Sequence, residues 1–371
     1  FVFPQIIPEF LVFRQSLVSL IFPLWGAAAS LNDILITQFK TVFMLNDAAT
    51  AFVQSAFYGG YFLIAIPASI VIKKQSYKFA IMTGLIFYIV GCAMFFPASR
   101  VATYTMFLAS IFAIAVGLSF LETSCDTYSS MIGPRKYSNI RMNISATLVP
   151  LGDIAGIVLG KYLIFGHVGN LSETMSHMHG AERIAYGEKM LQMTLQPYKY
   201  ILVVLIAILI VLALTPMPSS KAVSLDKEKA TQPSLIETLK YLAKNTRFKK
   251  GIMAQFFYVG MQTTVWSFTI RLALNLNTSI SDSDASTFMI YSYAAWFFGK
   301  LFASYLLKDH SITGVLAIFS ALGTLTLIGA TTIPNMTAVW MAIAASFFFG
   351  PEWPTIYAHT LDTVEDKRFT E

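Results

Sequence analysis

The sequence predicts an all-α polytopic membrane protein, and three observations lead to that fold class. Only 12% of the 371 residues are charged, whereas soluble domains carry about 25%. Hydrophobic residues make up 56% of the chain, and its mean hydropathy is +0.62. The apolar residues fall into blocks that approach or exceed the roughly 20 residues an α-helix needs to cross a bilayer. A secreted or cytosolic enzyme is therefore not expected.

Ten membrane spans are predicted, each separated from the next by a polar segment. In chain order they cover 16–39, 48–72, 79–97, 103–131, 142–165, 198–215, 249–273, 285–306, 312–332 and 337–360. One long polar stretch on the cytoplasmic side separates six spans from four. The predicted organisation is therefore an N-terminal bundle over 1–216, a cytoplasmic linker over 217–248 and a second bundle over 249–371.

Basic residues set the predicted orientation, because short cytoplasmic loops carry an excess of Lys and Arg. The loops after the second and fourth spans hold Lys73, Lys74, Lys78, Arg135, Lys136 and Arg141. Apart from the longer segment 166–197, the opposite loops hold only Lys40, Arg100 and Arg271. The N-terminus is therefore predicted to be cytoplasmic.

The linker contains a predicted amphipathic helix. Leu235, Ile236, Leu239 and Leu242 recur at helical spacing, with lysines at other positions. A helix of this kind lies along a membrane surface, with its basic side chains near lipid headgroups. The net charge of +6 is thereby explained by membrane lipid, and no nucleic-acid partner is expected.

Carboxyl groups inside apolar spans are candidates for function, because an ionised side chain at bilayer depth costs several kcal/mol. Asp33 lies late in the first span and Glu122 lies in the fourth. Asp126 follows Glu122 by one helical turn, so the two carboxyls do not both ionise easily. A carboxyl that is hard to ionise can take up and release a proton near neutral pH. The alternative is that these carboxyls only lock helix packing. Asp153 and Glu352 are further buried acids without an assignable partner.

Polar and aromatic stripes predict a lined cavity. One face of a predicted helix is shared by Gln255, Tyr258, Gln262 and Trp266 in the seventh span, and by Gln54, Tyr58 and Tyr61 in the second. Amides that donate and accept hydrogen bonds, beside rings that stack on C–H faces, suit a sugar. Asn32, on the same face as Trp25, and Asn143 are further candidates. The alternative is that these side chains serve interhelical hydrogen bonds.

The sequence contains no motif that predicts enzymatic chemistry. H-E-x-x-H, G-x-S-x-G, Walker A and Asp-rich diphosphate motifs are absent. Cys92 and Cys125 fall in apolar stretches, so neither a disulfide nor a metal site is predicted. Lys300, near the inner end of the eighth span, is expected to extend its ammonium toward the loop; the alternative is a contact to substrate. No catalytic residue, metal or cofactor is therefore expected.

The order of these motifs resembles the major facilitator superfamily, and specifically its fucose:proton symporter family. The similar strings include Leu31-Asn32-Asp33-Ile34-Leu35, Gln54-Ser55-Ala56-Phe57-Tyr58-Gly59-Gly60-Tyr61-Phe62, Leu121-Glu122-Thr123, Arg141-Met142-Asn143 and Ala254-Gln255-Phe256. They are spread over nearly the whole chain and keep their order.

The resemblance implies a transporter of the bacterial inner membrane that imports L-fucose or a related hexose together with a proton. It implies alternating access between two bundles around a midplane site. It also implies that Asp33 and Glu122 serve sugar binding and proton coupling, and that Asn143 binds sugar. Apart from the resemblance, we expect the protein to be a monomer. The alternatives are an uncoupled or differently coupled facilitator or exporter of small polar solutes, and a membrane sensor or scaffold.

The sequence departs from the family pattern at a few positions. Cys125, Asp126 and Thr127 follow the Glu-Thr pair where the family has Asn-Pro, Ala146 and Val149 replace polar residues, and Asp153 and Glu352 are additional acids. The family has twelve spans, whereas the chain stops at Glu371, just after the tenth. The natural protein is therefore expected to continue through two further spans.

Overall fold

The chain is almost entirely helical in the computed structural model, which describes residues 9–101, 103–132, 138–163, 175, 177–217, 234–277, 279–307 and 309–364. In chain order the helices are α1 (Glu9–Ser19), α2 (Phe22–Val42), α3 (Asp47–Lys74), α4 (Tyr77–Val101), α5 (Tyr104–Met131), α6 (Ser138–Ala146), α7 (Val149–Leu163), α8 (Gly180–Thr194), α9 (Gln196–Leu214), α10 (Leu235–Lys244), α11 (Thr246–Leu276), α12 (Asp282–Leu306), α13 (Ile312–Thr332), α14 (Thr337–Phe348) and α15 (Glu352–Asp362).

Seven helical stretches among the described residues are long and apolar enough to cross a membrane. They are Leu11–Asn32, Ser55–Lys74, Tyr77–Ser99, Tyr104–Ser129, Ile144–Leu163, Gly180–Leu214 and Ile312–Thr332. The spans predicted at 249–273 and 285–306 coincide with α11 and α12, which carry more polar side chains. The span predicted at 337–360 is divided between two short helices, α14 and α15.

Three predicted spans are interrupted near a proline. A proline has no N–H, so it cannot donate to the carbonyl four residues before it. Pro23 and Pro150 are the second residues of α2 and α7, each just after an interruption, and Pro351 immediately precedes α15. In the fifth span, Pro150 therefore leaves the carbonyl of Ala146 without its helical donor. Such interruptions are tolerated at membrane depth where other groups satisfy the freed carbonyls.

The described chain divides into two compact units. Unit 1 comprises residues 1–138, 148–219 and 281–286, and unit 2 comprises residues 139–147, 220–280 and 287–371. In unit 1, α4 packs against α5 and α2 packs against α7. A Cβ on Gly152 would overlap the backbone of Pro23, so only glycine allows α7 to approach α2 this closely.

Side chains close the helix ends of unit 1. Lys78 donates from Nζ to the carbonyls of Ala213 and Thr215, both at 2.9 Å, at the C-terminal end of α9. A cation at this position also stabilises the negative end of the helix dipole. Gln15 of α1 donates from Nε2 to Ser129 Oγ of α5 at 2.7 Å. These polar contacts link α4 to α9 and α1 to α5.

In unit 2, α12 crosses the interruption of the tenth span at close range. A Cβ on Gly299 would overlap the carbonyl of Phe347, and a Cβ on Gly350 would meet the backbone at Gly299 and Lys300. Nearby, Ala303 of α12 packs with Phe319 of α13 in the apolar core of this unit. The Gly299–Gly350 crossing therefore holds the eighth and tenth spans in backbone contact.

The segment in which the amphipathic linker helix was predicted forms α10. Ser234 and Glu237 form a capping box at its N-terminus, which satisfies two backbone N–H groups. Ile236 and Leu239 are exposed. The loop residues Arg135 and Lys136 and the linker stretch 218–233 lie outside the described residues.

Candidate functional site

Three of the predicted acidic residues lie around one tyrosine in unit 1. Tyr61 of α3 is within electrostatic range of Glu122 and Asp126 on α5 and of Asp153 on α7. Ser119, one turn before Glu122, donates from Oγ to the carbonyl of Tyr61 at 3.0 Å and so holds α5 against α3. Carboxyls from two helices are therefore within electrostatic range of the same tyrosine. Glu122 and Asp126 share one helix, and Asp153 follows Glu122 by 31 residues on the other.

Glu122 differs from its two acidic neighbours. Asp126 and Asp153 are buried and each takes part in a polar interaction with other residues. No hydrogen bond links the half-buried carboxyl of Glu122 to the part of the chain that the structure describes. Its hydrogen-bonding capacity is available to a proton or to a polar ligand.

Asn32 is another polar group of unit 1 with spare hydrogen-bonding capacity toward the described residues. Its side chain is 4% exposed, and its Oδ1 accepts no hydrogen bond from the described residues. Leaving a buried acceptor unpaired costs about 1–3 kcal/mol, a cost that a ligand donor would remove. Asp33 follows in α2, and Asn143 lies in α6, but both side chains, like that of Gln54, lie outside the description.

The aromatic members of the predicted stripe on α11 are hydrogen-bonded within unit 2. Tyr258 donates its hydroxyl to the carbonyl of Phe349, in the interruption between α14 and α15, at 2.9 Å. Trp266 donates from Nε1 to Ser346 Oγ at 3.1 Å. The polar atoms of these two side chains therefore hold α11 against the tenth span.

The amides of the same stripe are not used in this way. Both polar atoms of the Gln255 amide are buried without a partner among the described residues, and so is Nε2 of Gln262. The two glutamines lie on the face of α11 that carries Tyr258 and Trp266. Free donors and acceptors therefore alternate along this face with aromatic rings that are fixed in place.

Glu352 has a partner that the sequence did not reveal. It is 6% exposed at the start of α15, and Ser320 of α13 donates from Oγ to its Oε1 at 2.7 Å. It is also within electrostatic range of Tyr258. This acid belongs to unit 2.

The expectation for Lys300 was wrong. Its side chain does not extend to a loop but is 6% exposed, and its Nζ donates to the carbonyl of Ala146 at 3.1 Å. The ammonium also lies 4.1 Å from the ring centroid of Trp296. Pro150 removes the helical donor of that carbonyl, so Lys300 takes the place of the missing N–H. The sequence shows a lysine inside one apolar span and a proline inside another. No pattern of neighbouring residues indicates that the two positions interact.

Sequence reasoning also missed Trp296 and Ser346. The ring centroids of Trp296 and Trp266 are 4.8 Å apart, and Ser346 receives the Trp266 N–H. Trp296 and Lys300 are four residues apart on α12, a spacing that puts them on one helix face. Because both lie among aromatic and apolar residues, the spacing alone did not distinguish them from core residues.

Comparison with known proteins places this arrangement in a family. The family model for the Major Facilitator Superfamily matches residues 11–369. Over 345 residues the chain is 32% identical to the L-fucose-proton symporter of Escherichia coli K12, covering 92% of this chain and 78% of that protein. The chain belongs to the L-fucose–proton symporter family of the Major Facilitator Superfamily.

Other members of the superfamily support the same fold. A crystal structure of the Major Facilitator Superfamily transporter FucP in the outward conformation has a TM-score of 0.81 and 31% identity, with coverage of 96% of this chain and 85% of that one. The glucose/galactose transporter of Brucella abortus is 25% identical over 351 residues, or 94% of this chain and 80% of the relative. The predicted family resemblance and all-α fold class are thereby confirmed.

Proposed function

We propose that the chain imports L-fucose or a related hexose together with a proton across the bacterial inner membrane, by alternating access. The observation that carries the proposal is the half-buried carboxyl of Glu122, which has no hydrogen bond to the described residues, in a chain 32% identical to an L-fucose-proton symporter. A similar glucose/galactose transporter supports hexoses as the wider substrate class. The proposal involves no enzymatic step and no cofactor, and the proton is the coupling ion.

In the proposed cycle, protonation of Glu122 removes a negative charge from the interior of unit 1. An ionised side chain at this depth costs several kcal/mol, so the protonated state favours binding of a neutral sugar and closure around both ligands. Asn32, Asp33 and Asn143 bind the sugar from the first bundle, and Asp33 also takes part in proton coupling. Release of the proton to the cytoplasm then resets the transporter.

The second bundle contributes the amides of Gln255 and Gln262, whose unpartnered atoms can donate to and accept from sugar hydroxyls. Trp266 and Tyr258 present aromatic rings held by their own hydrogen bonds. In this proposal the moving bodies are the bundles 1–216 and 249–371, joined by the linker 217–248, with a cytoplasmic N-terminus. The transporting species is a monomer, and Asp126, Asp153 and Glu352 are additional acids that adjust the pH dependence.

The test is uptake of radiolabelled sugar into proteoliposomes with and without an outside-acid gradient. A difference of about 2 pH units supplies about 2.7 kcal/mol per proton, enough for up to about a hundredfold accumulation at one proton per sugar. Glu122→Gln should abolish accumulation while leaving exchange of sugar for sugar intact. Asp33→Asn should impair both, because Asp33 also binds the sugar.

Glu182→Gln is the matched control, because Glu182 is an exposed acid at the start of α8. This variant should accumulate sugar as the parent does. Flux in the parent that is indifferent to pH would instead identify an uncoupled facilitator. Accumulation by Glu122→Gln equal to that of the parent would remove Glu122 from the coupling mechanism. A panel of L-fucose, D-galactose and D-glucose identifies the preferred hexose.

A further inference from the structure

The indole N–H of Trp296 is a buried donor that has no acceptor in the part of the chain that the structure describes. The side chain is 6% exposed, and its Nε1 makes no hydrogen bond to any residue in the described part of the chain. An unpaired buried donor costs about 1–3 kcal/mol, and tryptophan N–H groups usually find a partner when buried. Trp266 illustrates the usual case, since its own N–H is satisfied by Ser346 at 3.1 Å.

The ring of Trp296 is fixed by its neighbours. Trp266 contacts it at a centroid distance of 4.8 Å with an interplanar angle of 66°, and Tyr293 lies 6.4 Å away. The Lys300 ammonium sits 4.1 Å from the ring centroid, and cations are attracted to this face of an aromatic ring. An indole held by contacts of this kind has its N–H aimed in one direction before any ligand arrives.

Lys300 is itself fixed by the interruption of the fifth span. Its Nζ donates to the carbonyl of Ala146 at 3.1 Å, the carbonyl that Pro150 leaves without a helical donor. Lys300 therefore links the end of α6 to the ring of Trp296. Asn143, proposed above to bind sugar, lies three residues before Ala146 in the same short helix.

We propose that Trp296 is a sugar-binding residue whose indole N–H donates to a hydroxyl oxygen of the transported sugar, and that Lys300 is the positioning residue that holds the indole. The assignment rests on the proposed function, since it names a further contact to the same substrate. It adds a donor from α12 to the amides of α11. The unpartnered Nε2 of Gln262 lies one turn from Trp266, the ring that Trp296 contacts, so two free donors flank one aromatic pair.

The first experiment measures equilibrium binding of radiolabelled L-fucose, D-galactose and D-glucose to the purified protein. Trp296→Phe keeps an aromatic ring at this position and removes the N–H together with part of the volume of the indole. It should raise the dissociation constant of the preferred sugar about tenfold, the effect of losing about 1.4 kcal/mol. Trp340→Phe is the control, because Trp340 is 51% exposed. The dissociation constant of this variant for the preferred sugar should equal that of the parent.

The second experiment separates a direct contact from a packing effect. Monodeoxy analogues of the preferred sugar are each compared between the parent and Trp296→Phe. The parent should bind one analogue about tenfold more weakly than the full sugar, whereas the variant should lose less than about twofold on the same analogue, because its donor is already absent. A packing defect would weaken all analogues equally in the variant.

The outcomes distinguish the two proposals. If the parent binds none of the three sugars, the proposed function fails, and the assignment of Trp296 fails with it. If the parent binds sugar and Trp296→Phe matches its dissociation constant, only the assignment of Trp296 is overturned. The same holds if parent and variant discriminate every deoxy analogue equally. A tenfold weakening confined to one missing hydroxyl supports the hydrogen bond.

Discussion

Replacing Lys300 by methionine tests whether the lysine stabilises the interrupted fifth span. Met keeps most of the length and the apolar stem of the lysine side chain but has no ammonium. The substitution therefore removes the 3.1 Å hydrogen bond to the carbonyl of Ala146 and the cation–π contact with Trp296 at 4.1 Å. It leaves that carbonyl without a donor from either Pro150 or position 300.

The expected loss follows from these two contacts. A hydrogen bond to a charged group contributes about 1.5–3 kcal/mol, and a cation–π contact contributes about 0.5–2 kcal/mol. Burying an ammonium costs several kcal/mol. The substitution removes this cost, which offsets part of the stabilisation lost with the two contacts. The free energy of unfolding of Lys300→Met should therefore fall by about 2 kcal/mol.

The assay is reversible denaturant unfolding in mixed micelles, followed by tryptophan fluorescence. Lys199→Met is the control. Lys199 is exposed, and its ammonium lies 5.8 Å from the ring centroid of Phe96, farther than Lys300 lies from Trp296. The free energy of unfolding of this variant should therefore fall by less than about 0.5 kcal/mol. Lys300→Arg, which retains a donor and a cation, should fall between parent and Met. Unfolding free energies that agree within about 0.5 kcal/mol for parent and Lys300→Met would refute the stabilising role of the lysine.

Three other predictions concern packing and the linker helix. Gly299→Ala places a Cβ against the carbonyl of Phe347 and should abolish a monodisperse elution profile in detergent. Gly260→Ala, with nothing within 4 Å of its Cβ, should be tolerated and gain about 0.5–1 kcal/mol; equal profiles for the two would contradict the proposed crossing. Ser234→Ala should reduce amide protection in α10, since it removes an N-cap with an average contribution of about 1 kcal/mol, and unchanged exchange would show that the cap is not formed. Hydrogen bonds from Ser234 lower the pKa of Glu237. The contribution of the capping box is therefore fully present above the ordinary pKa and is lost as the pH falls through the lowered one. Protection of α10 that stays the same after Glu237 has been protonated would contradict this.

The membrane spans could be predicted because hydropathy is a local property of the chain. The order of the helices, the linker helix α10 and the acids in the fourth span all follow from composition and spacing over 10 to 25 residues. The interruptions were harder to foresee. Pro67 and Pro97 lie inside continuous helices, α3 and α4, whereas the spans near Pro23 and Pro150 are divided, so a proline in an apolar span does not by itself predict an interruption.

The roles of the polar residues depended on contacts between distant parts of the chain. Tyr258 and Trp266 had the same sequence signal as Gln255 and Gln262, yet the hydroxyl of Tyr258 and the N–H of Trp266 are hydrogen-bonded to other helices, whereas the amides retain unpartnered atoms. A stripe on one helix shows which residue types face the same way. It does not show which of them have a partner on the neighbouring helix.

By itself, the sequence determined that this is a polytopic membrane protein with acids inside its apolar spans and the motifs of its family, because each of these is a property of residue type and spacing. The tertiary structure alone decided that Lys300 replaces the donor that Pro150 removes, and that the N–H of Trp296 has no partner among the described residues. Lys300 and the carbonyl of Ala146 to which it donates are 154 residues apart in the sequence. Only the packing of the helices decides which buried polar groups satisfy one another and which remain free for a ligand.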